Sequence, residues 1–151
     1  MKISNAGIDL IHSFEQCRLE AYPDPGSKDG HPWTIGWGST GAGIAKGVTW
    51  TQKQADDRFA ADLGRFERAV TDLIAKSATA QHEFDALVSF AYNVGAGQGG
   101  LASSTLLRKH LAGDKVGARA QFARWVKNDG VTMRGLTRRR AAEADLYGGR
   151  G

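Results

Sequence analysis

Glu15 stands in FEQCRLEAYPD, Asp24 closes the same stretch, and Thr34 follows in HPWTIGWGST. Two carboxyl groups and a hydroxyl can together hydrolyse a glycosidic bond. One carboxylic acid protonates the leaving oxygen, and the other carboxylate activates water or attacks the sugar. Tyr22 and Trp33, beside these residues, could present aromatic faces to sugar rings, although Trp33 suits a core equally well. Each of the three also has a plainer reading. Glu15 can be a solvated helix residue, Asp24 a turn former and Thr34 a strand residue chosen for β-propensity. Eight residues separate Glu15 from Asp24 and nine separate Asp24 from Thr34. Such a spacing alone does not decide between these readings.

The elements that would position these groups follow from periodicity. Ser4 or Asn5 can cap a short helix running to about Glu15, with Ile8, Ile11 and Phe14 as its apolar stripe. Cys17 to Tyr22 reads as a strand, PDPGSKDGHP as a loop, and Trp33 to Gly38 as the second strand of a hairpin. Gly41, Gly43 and Gly47 mark an irregular return. Helical spacing then takes over. Thr51 and Gln54 form a capping box ahead of Ala55, Phe59, Leu63, Phe66, Val70 and Leu73, with Gly64 a mild interruption. Thr79 is expected to cap the next helix, which turns Phe84, Leu87, Val88 and Ala91 inward and stops at Gly95. It is the most apolar segment and the expected core helix, and Asn93 is placed as a cap near its end, with a reach into the cleft as the alternative. GAGQGG forms a loop. Ser103 or Ser104 caps a helix ending near Gly113. Asp114 opens another with Val116, Ala120, Ala123 and Trp125 or Val126 inward. Asn128-Asp129-Gly130 is a turn, and a last helix runs from about Thr137 to Tyr147. Helix, small hairpin, then several helices is an α+β arrangement with the sheet segregated at one end.

A chain of 151 residues, 41% hydrophobic and 24% charged, suits one domain with its own core. Cys17 is the only cysteine, so no internal disulfide can form, and it reads as a small buried apolar side chain. His12, His31, His82 and His110 are scattered and make no metal-ligand pattern. No apolar run has the length of a signal peptide or approaches the ~20 residues of a membrane span. The net charge of +4 favours polyanionic partners. Its densest group is Arg134 with Arg138, Arg139 and Arg140. Three consecutive helix residues point in three directions, so at least one of the last three is expected inward, where it could pair with an acid such as Glu15.

In order along the chain, four blocks resemble the phage-type lysozymes of glycoside hydrolase family 24, a family that includes many endolysins. FEQCRLEAYPD resembles the family's glutamate-bearing helix end and the strand after it. WTIGWGST resembles its Trp-Thr-Ile-Gly-aromatic-Gly strand. FDALVSFAYNVG resembles its core-helix segment, and GLTRRRAAEADLY its Gly-Leu-x-x-Arg-Arg-x-x-Glu-x-x-Leu-Tyr terminus. The family places five residues between its Asp and Thr. This chain has nine, the extra ones lying in the loop, where insertions are tolerated.

The resemblance implies a lysozyme-like α+β fold in one domain over 1–151, with a β-containing catalytic lobe over about 15–50 and a helical lobe over about 51–151. It implies a muramidase that hydrolyses the β-1,4 bond between N-acetylmuramic acid and N-acetylglucosamine in peptidoglycan. Glu15 would be the general acid, Asp24 the general base and Thr34 the group that positions water, with Tyr22 and Trp33 lining the sugar site. A general acid must keep its proton near neutral pH, which the negative end of a helix dipole favours. An inverting reaction of this kind needs the two carboxyl groups about 6.5–9.5 Å apart. No cofactor and no metal is implied. The expected partners are peptidoglycan and, on the outward arginines, anionic cell-envelope polymers, with no nucleic acid and no transmembrane segment, in a monomer. Without a signal peptide, the protein is expected to accumulate in the host bacterial cytoplasm and to reach the wall once the membrane is permeabilised. Three competing readings stay open. A lytic transglycosylase needs only the acid, a wall-binding module needs neither carboxyl group, and a basic nucleic-acid binder would use the charge alone.

Overall fold

The computed structural model describes residues 1–25 and 27–150. Gly26, expected in the turn beside Asp24, and Gly151 lie outside the described residues. Helix α1 (Asn5–Phe14) leads into an antiparallel hairpin of β1 (Arg18–Pro23) and β2 (Trp33–Gly36). The helices that follow are α2 (Gln52–Ile74), α3 (Gln81–Val94), α4 (Thr105–Leu111), α5 (Lys115–Gln121) and α6 (Arg134–Tyr147). A second, very small hairpin, β3 (Lys127–Asn128) and β4 (Val131–Thr132), precedes α6. This is the α+β arrangement expected. No helix among the described residues is long and apolar enough to cross a membrane.

The core is built around α3. Every residue from Glu83 to Tyr92 is buried, so this helix must be covered on all sides. α1, α2 and α6 supply the cover, packing with it around Phe84, Leu87, Val88, Phe90 and Ala91. Phe90 meets Phe122 and Trp125 edge-on, with ring centroids 5.6 and 5.2 Å apart. α1 approaches α3 closely at Gly7, where a Cβ would fall 2.9 Å from that of Asp85. Asp85, itself buried, accepts from the Ser4 backbone N–H at 2.9 Å and from the Ser4 hydroxyl. Ser4 therefore ties the chain start to α3 instead of capping its own helix.

Several expected caps are present and others are corrected. Thr51 and Gln54 form their reciprocal box, Ser104 caps α4 and Asp114 caps α5. Thr79 does not cap α3. Its hydroxyl lies 2.8 Å from His110 Nε2, and the Ala80 N–H is met instead by the Glu83 carboxylate. α5 does not turn Val116, Ala120 and Ala123 inward. All three are exposed, while Ala118 and Phe122, four residues apart on the other face, are buried. The last helix starts three residues earlier than the sequence indicates, at Arg134. Cys17 is only half-buried.

α3 and α6 are locked by charge as well as by apolar contact. Glu143 on α6 is fully buried and faces Arg140 Nε at 2.7 Å, Arg139 Nε at 3.2 Å and the Ser89 hydroxyl at 2.5 Å. Arginine only donates, so the carboxylate is the form that meets both guanidinium groups. Burial lifts Glu143 above the usual carboxylate range, against the pull of Arg140 and Arg139. Burial likewise draws Arg140 down to about 10, with Glu143 opposing. Removing one partner leaves the other charges buried and unpaired, a loss of about 3–5 kcal/mol. Glu143→Ala is therefore expected to lose about that much stability in urea unfolding, while Arg124→Ala on the exposed surface stays within about 0.5 kcal/mol of the parent.

A buried imidazole gives a second expectation. His110 Nδ1 lies 2.6 Å from the Tyr147 hydroxyl, opposite the Thr79 contact. Burial holds His110 below the usual imidazole range, Lys115 pushing the same way and Glu83 opposing. The unfolded chain then binds the proton first. The stabilisation is complete above the unfolded value of ~6.5 and is lost as pH falls below it. Thermal unfolding from about pH 7 to about pH 5 should lower Tm more steeply in the parent than in His110→Gln, which cannot titrate.

Candidate active site

α1 ends because Glu15 leaves helical geometry (φ −99°, ψ 103°) while its N–H still bonds to the Ile11 carbonyl. Its side chain thus sits at the helix C-terminus, as expected. Arg139 Nη1 donates to Glu15 Oε2 at 2.7 Å, and the glutamate side chain keeps 17% exposure. Arg139 is the inward arginine foreseen. It also donates to Glu143 and, through Nη2 at 3.1 Å, to the Ser89 carbonyl. Arg140 is buried too and donates to Asn93 Oδ1 at 2.8 Å. Asn93 is therefore tied to α6 and does not serve as the helix cap expected. Arg134 and Arg138 alone of the basic group face solvent.

The other side of Glu15 is backbone. Gly38 has φ +90°, and a Cβ there would lie 2.6 Å from Glu15 Oε1. Both facts require glycine, since a side chain would displace the carboxyl group. The turn that carries Gly38 is pinned from two helices. Trp37 Nε1 donates to Asp56 on α2 at 2.9 Å, and the Ser39 hydroxyl donates to buried Asp62 at 2.8 Å. From α3, the Tyr92 hydroxyl donates to the Trp37 carbonyl at 2.5 Å. Trp37 also stacks on His12, with ring centroids 4.2 Å apart.

Asp24 follows the last residue of β1, and its N–H bonds to the Gly30 carbonyl across the loop at 2.9 Å. It is half-buried, less open than the wet loop expected. Its Oδ2 accepts from Asn128 Nδ2 at 2.8 Å. Thr34 lies on β2 directly opposite Tyr22, and Trp33 opposite Pro23. The Thr34 hydroxyl makes a long 3.4 Å contact to the Pro32 carbonyl. Tyr22 and Trp33 are both half-buried. Burial raises the Tyr22 hydroxyl above its usual range; Glu15 and Asp24 push the same way and Arg18 opposes. Tyr22 therefore feels the field of both carboxyl groups. The hairpin brings Asp24, Tyr22, Trp33 and Thr34 to the end that its loop closes, and α1 delivers Glu15 toward Tyr22. Among the described residues, no group of three or more His, Cys, Asp or Glu side chains could hold a metal ion.

Sequence reasoning missed Gly38, Ser89, Glu143 and Asn128. Glu143 lay in the GLTRRRAAEADLY block without a role. Nothing local marks Asn128 beyond its place before a turn.

Residues 12–143 match the model of a family described as phage lysozyme. Over 148 residues the chain is 43% identical to an endolysin of Bacillus phage PZA, covering 97% of this chain and 55% of that protein. It thus spans about half the length of the Bacillus phage relatives it matches. Among solved structures, an endolysin from Escherichia coli O157:H7 phage FAHEc1 superposes with a TM-score of 0.81 at 39% identity, covering 97% of this chain and 93% of that one. The muramidase domain of SpmX from Asticaccaulis excentricus superposes with a TM-score of 0.79 at 34% identity, with 97% of each chain covered. Glu15, Asp24, Thr34 and the Arg139–Glu143 pair all fall inside the matched stretch, and the chain belongs to the phage lysozyme family.

Proposed function

We propose that this chain is a muramidase acting as an endolysin, a single domain that hydrolyses the β-1,4 bond between N-acetylmuramic acid and N-acetylglucosamine in peptidoglycan. The observation that carries the reading is the treatment of the two carboxyl groups. Glu15 is clamped between Arg139 and the Gly38 backbone. Asp24 stands apart on the hairpin and is held by an amide. Two carboxyl groups in different surroundings can divide acid and base work between them. The names of the relatives, endolysin and muramidase domain, support the same substrate.

In this reading Glu15 protonates the glycosidic oxygen. Arg139 fixes the plane of its carboxyl group but shares its own charge with Glu143. Asp24 draws the proton from a water molecule that the Thr34 hydroxyl orients, and the water attacks from the opposite face of the sugar. Tyr22 and Trp33 line the sugar path. The configuration at the anomeric carbon inverts. Within the arginine group, Arg134 and Arg138 face solvent and are available to anionic envelope polymers.

The reading is tested on purified peptidoglycan. Mass spectrometry should find reducing N-acetylmuramic acid ends, and freshly formed product should carry the inverted anomer. Glu15→Gln and Asp24→Asn should each reduce turnover by roughly 10²–10⁴-fold. Anhydro ends, with Asp24→Asn still active, would turn the reading to a transglycosylase. In a substrate-bound crystal structure the two carboxyl groups should lie about 6.5–9.5 Å apart, and a separation near 5 Å with retained configuration would make Asp24 a nucleophile.

A further inference from the structure

The second hairpin, β3–β4, looks like a mere connection between α5 and α6, yet its tip touches the loop that carries Asp24. Asp129 and Gly130 form its two-residue turn, with φ of +50° and +79°. Positive φ at both central positions is the geometry that closes a tight hairpin. The pairing Asn128↔Val131 then aims the Asn128 side chain across to Asp24. An amide oxygen facing a carboxylate oxygen would place two acceptors together, so the NH₂ group must be the one that faces Asp24. One residue further, Asp129 Oδ2 accepts the Lys28 backbone N–H at 2.9 Å. Lys28 lies in the stretch between Asp24 and Thr34 that is longer than the family spacing. Two adjacent hairpin residues thus grip both the carboxylate and the loop that follows it.

The hairpin runs straight into α6, the Met133 N–H bonding back to the Val126 carbonyl at 2.8 Å. α6 carries Arg139, which holds Glu15. One continuous segment, from Asn128 to Arg139, therefore holds both carboxyl groups from behind. We infer that Asn128 is a positioning residue for the hydrolysis: it fixes the plane of the Asp24 carboxylate, and with Arg139 it sets the separation of base and acid. The inference rests on the muramidase reading above, in which Asp24 is the base. Asn128 itself need not touch the sugar.

The test compares the full chain with Asn128→Ala, Asn128→Asp and Asp129→Ala on solubilised peptidoglycan glycan strands, with Tm measured for each. A positioning role predicts that Asn128→Ala lowers kcat about 10-fold or more, leaves KM within about twofold and leaves Tm within about 2 °C. Asn128→Asp keeps the shape of the side chain but replaces the donor with an acceptor facing Asp24, so it should be slower than the alanine variant. A hairpin that served only as structure would show its loss in Tm and KM, with kcat near that of the parent. Asp129→Ala releases the loop but keeps the amide, and should lose less than Asn128→Ala. Parent-like kcat in Asn128→Ala, a loss confined to KM, or an aspartate variant faster than the alanine variant would each overturn the role of Asn128 and leave the muramidase reading standing. A parent chain that leaves the strands uncut overturns both.

Discussion

A buried guanidinium must have its N–H groups met, because an uncompensated charge in the interior costs several kcal/mol. Arg139 satisfies that demand with three partners on three different segments: Glu15 at the end of α1, the Ser89 carbonyl on α3, and Glu143 one turn further along α6. No two of these segments can shift relative to one another without stranding a charged donor. The apolar contacts around α3 bring the helices together, but contacts between aliphatic surfaces tolerate sliding. The directed bonds of one arginine do not. The register of the proposed acid against the core depends on them.

The same logic explains the company Glu15 keeps. A carboxyl group left on a helix end in solvent would sample many rotamers. Here Arg139 takes one oxygen, and Gly38, held by Asp56, Asp62 and Tyr92 through its neighbours, closes on the other. The glycine matters because the turn approaches so nearly that no side chain fits. The hairpin β1–β2 has almost no apolar face of its own, with only Ala21, Ile35 and Gly36 buried. Its attachment to the helices through the 37–40 turn therefore combines polar bonds with the stacking of Trp37 on His12, and its far end relies on Asn128 and Asp129.

Much of this was legible in the chain. Apolar periodicity located α2 and α3, which bury stripes or whole faces that a 3.6-residue period reveals, whereas α6 buries mostly charged side chains and shows no such stripe. Glu15, Asp24 and Thr34 stood out through the motifs around them, and an inward arginine followed from the geometry of three consecutive helix residues. The failures have a common physical cause. Thr79 offers a good cap, but a histidine 31 residues away takes its hydroxyl. In α5, small apolar residues occupy both faces, so composition cannot say that Ala118 is the one buried. Asn128 acts on a partner 104 residues distant. Local sequence carries propensity, and each miss was settled by a long-range hydrogen bond or by packing.

The longer loop between Asp24 and Thr34 shows why such an insertion need not disturb a site. The position of Thr34 is set by the ladder, where it faces Tyr22, and by the next pair, Pro23 against Trp33. Every added residue lies beyond that last pair. The one register shift of the ladder lies between Arg18 and Tyr22, ahead of the two pairs that flank the loop, so Tyr22 faces Thr34 and Pro23 faces Trp33 with the longer loop in place. What the loop must do is return without leaving buried polar groups unmet. Asp29 arranges this by accepting from the Ser27 hydroxyl and the His31 N–H, bonds that hold its own carboxyl group below the usual range, Ser27 contributing most. Asp129 takes the N–H of Lys28. The loop is thereby fastened at its turn and to the opposite hairpin, while Asp24 and Thr34 keep the places that the strands assign them.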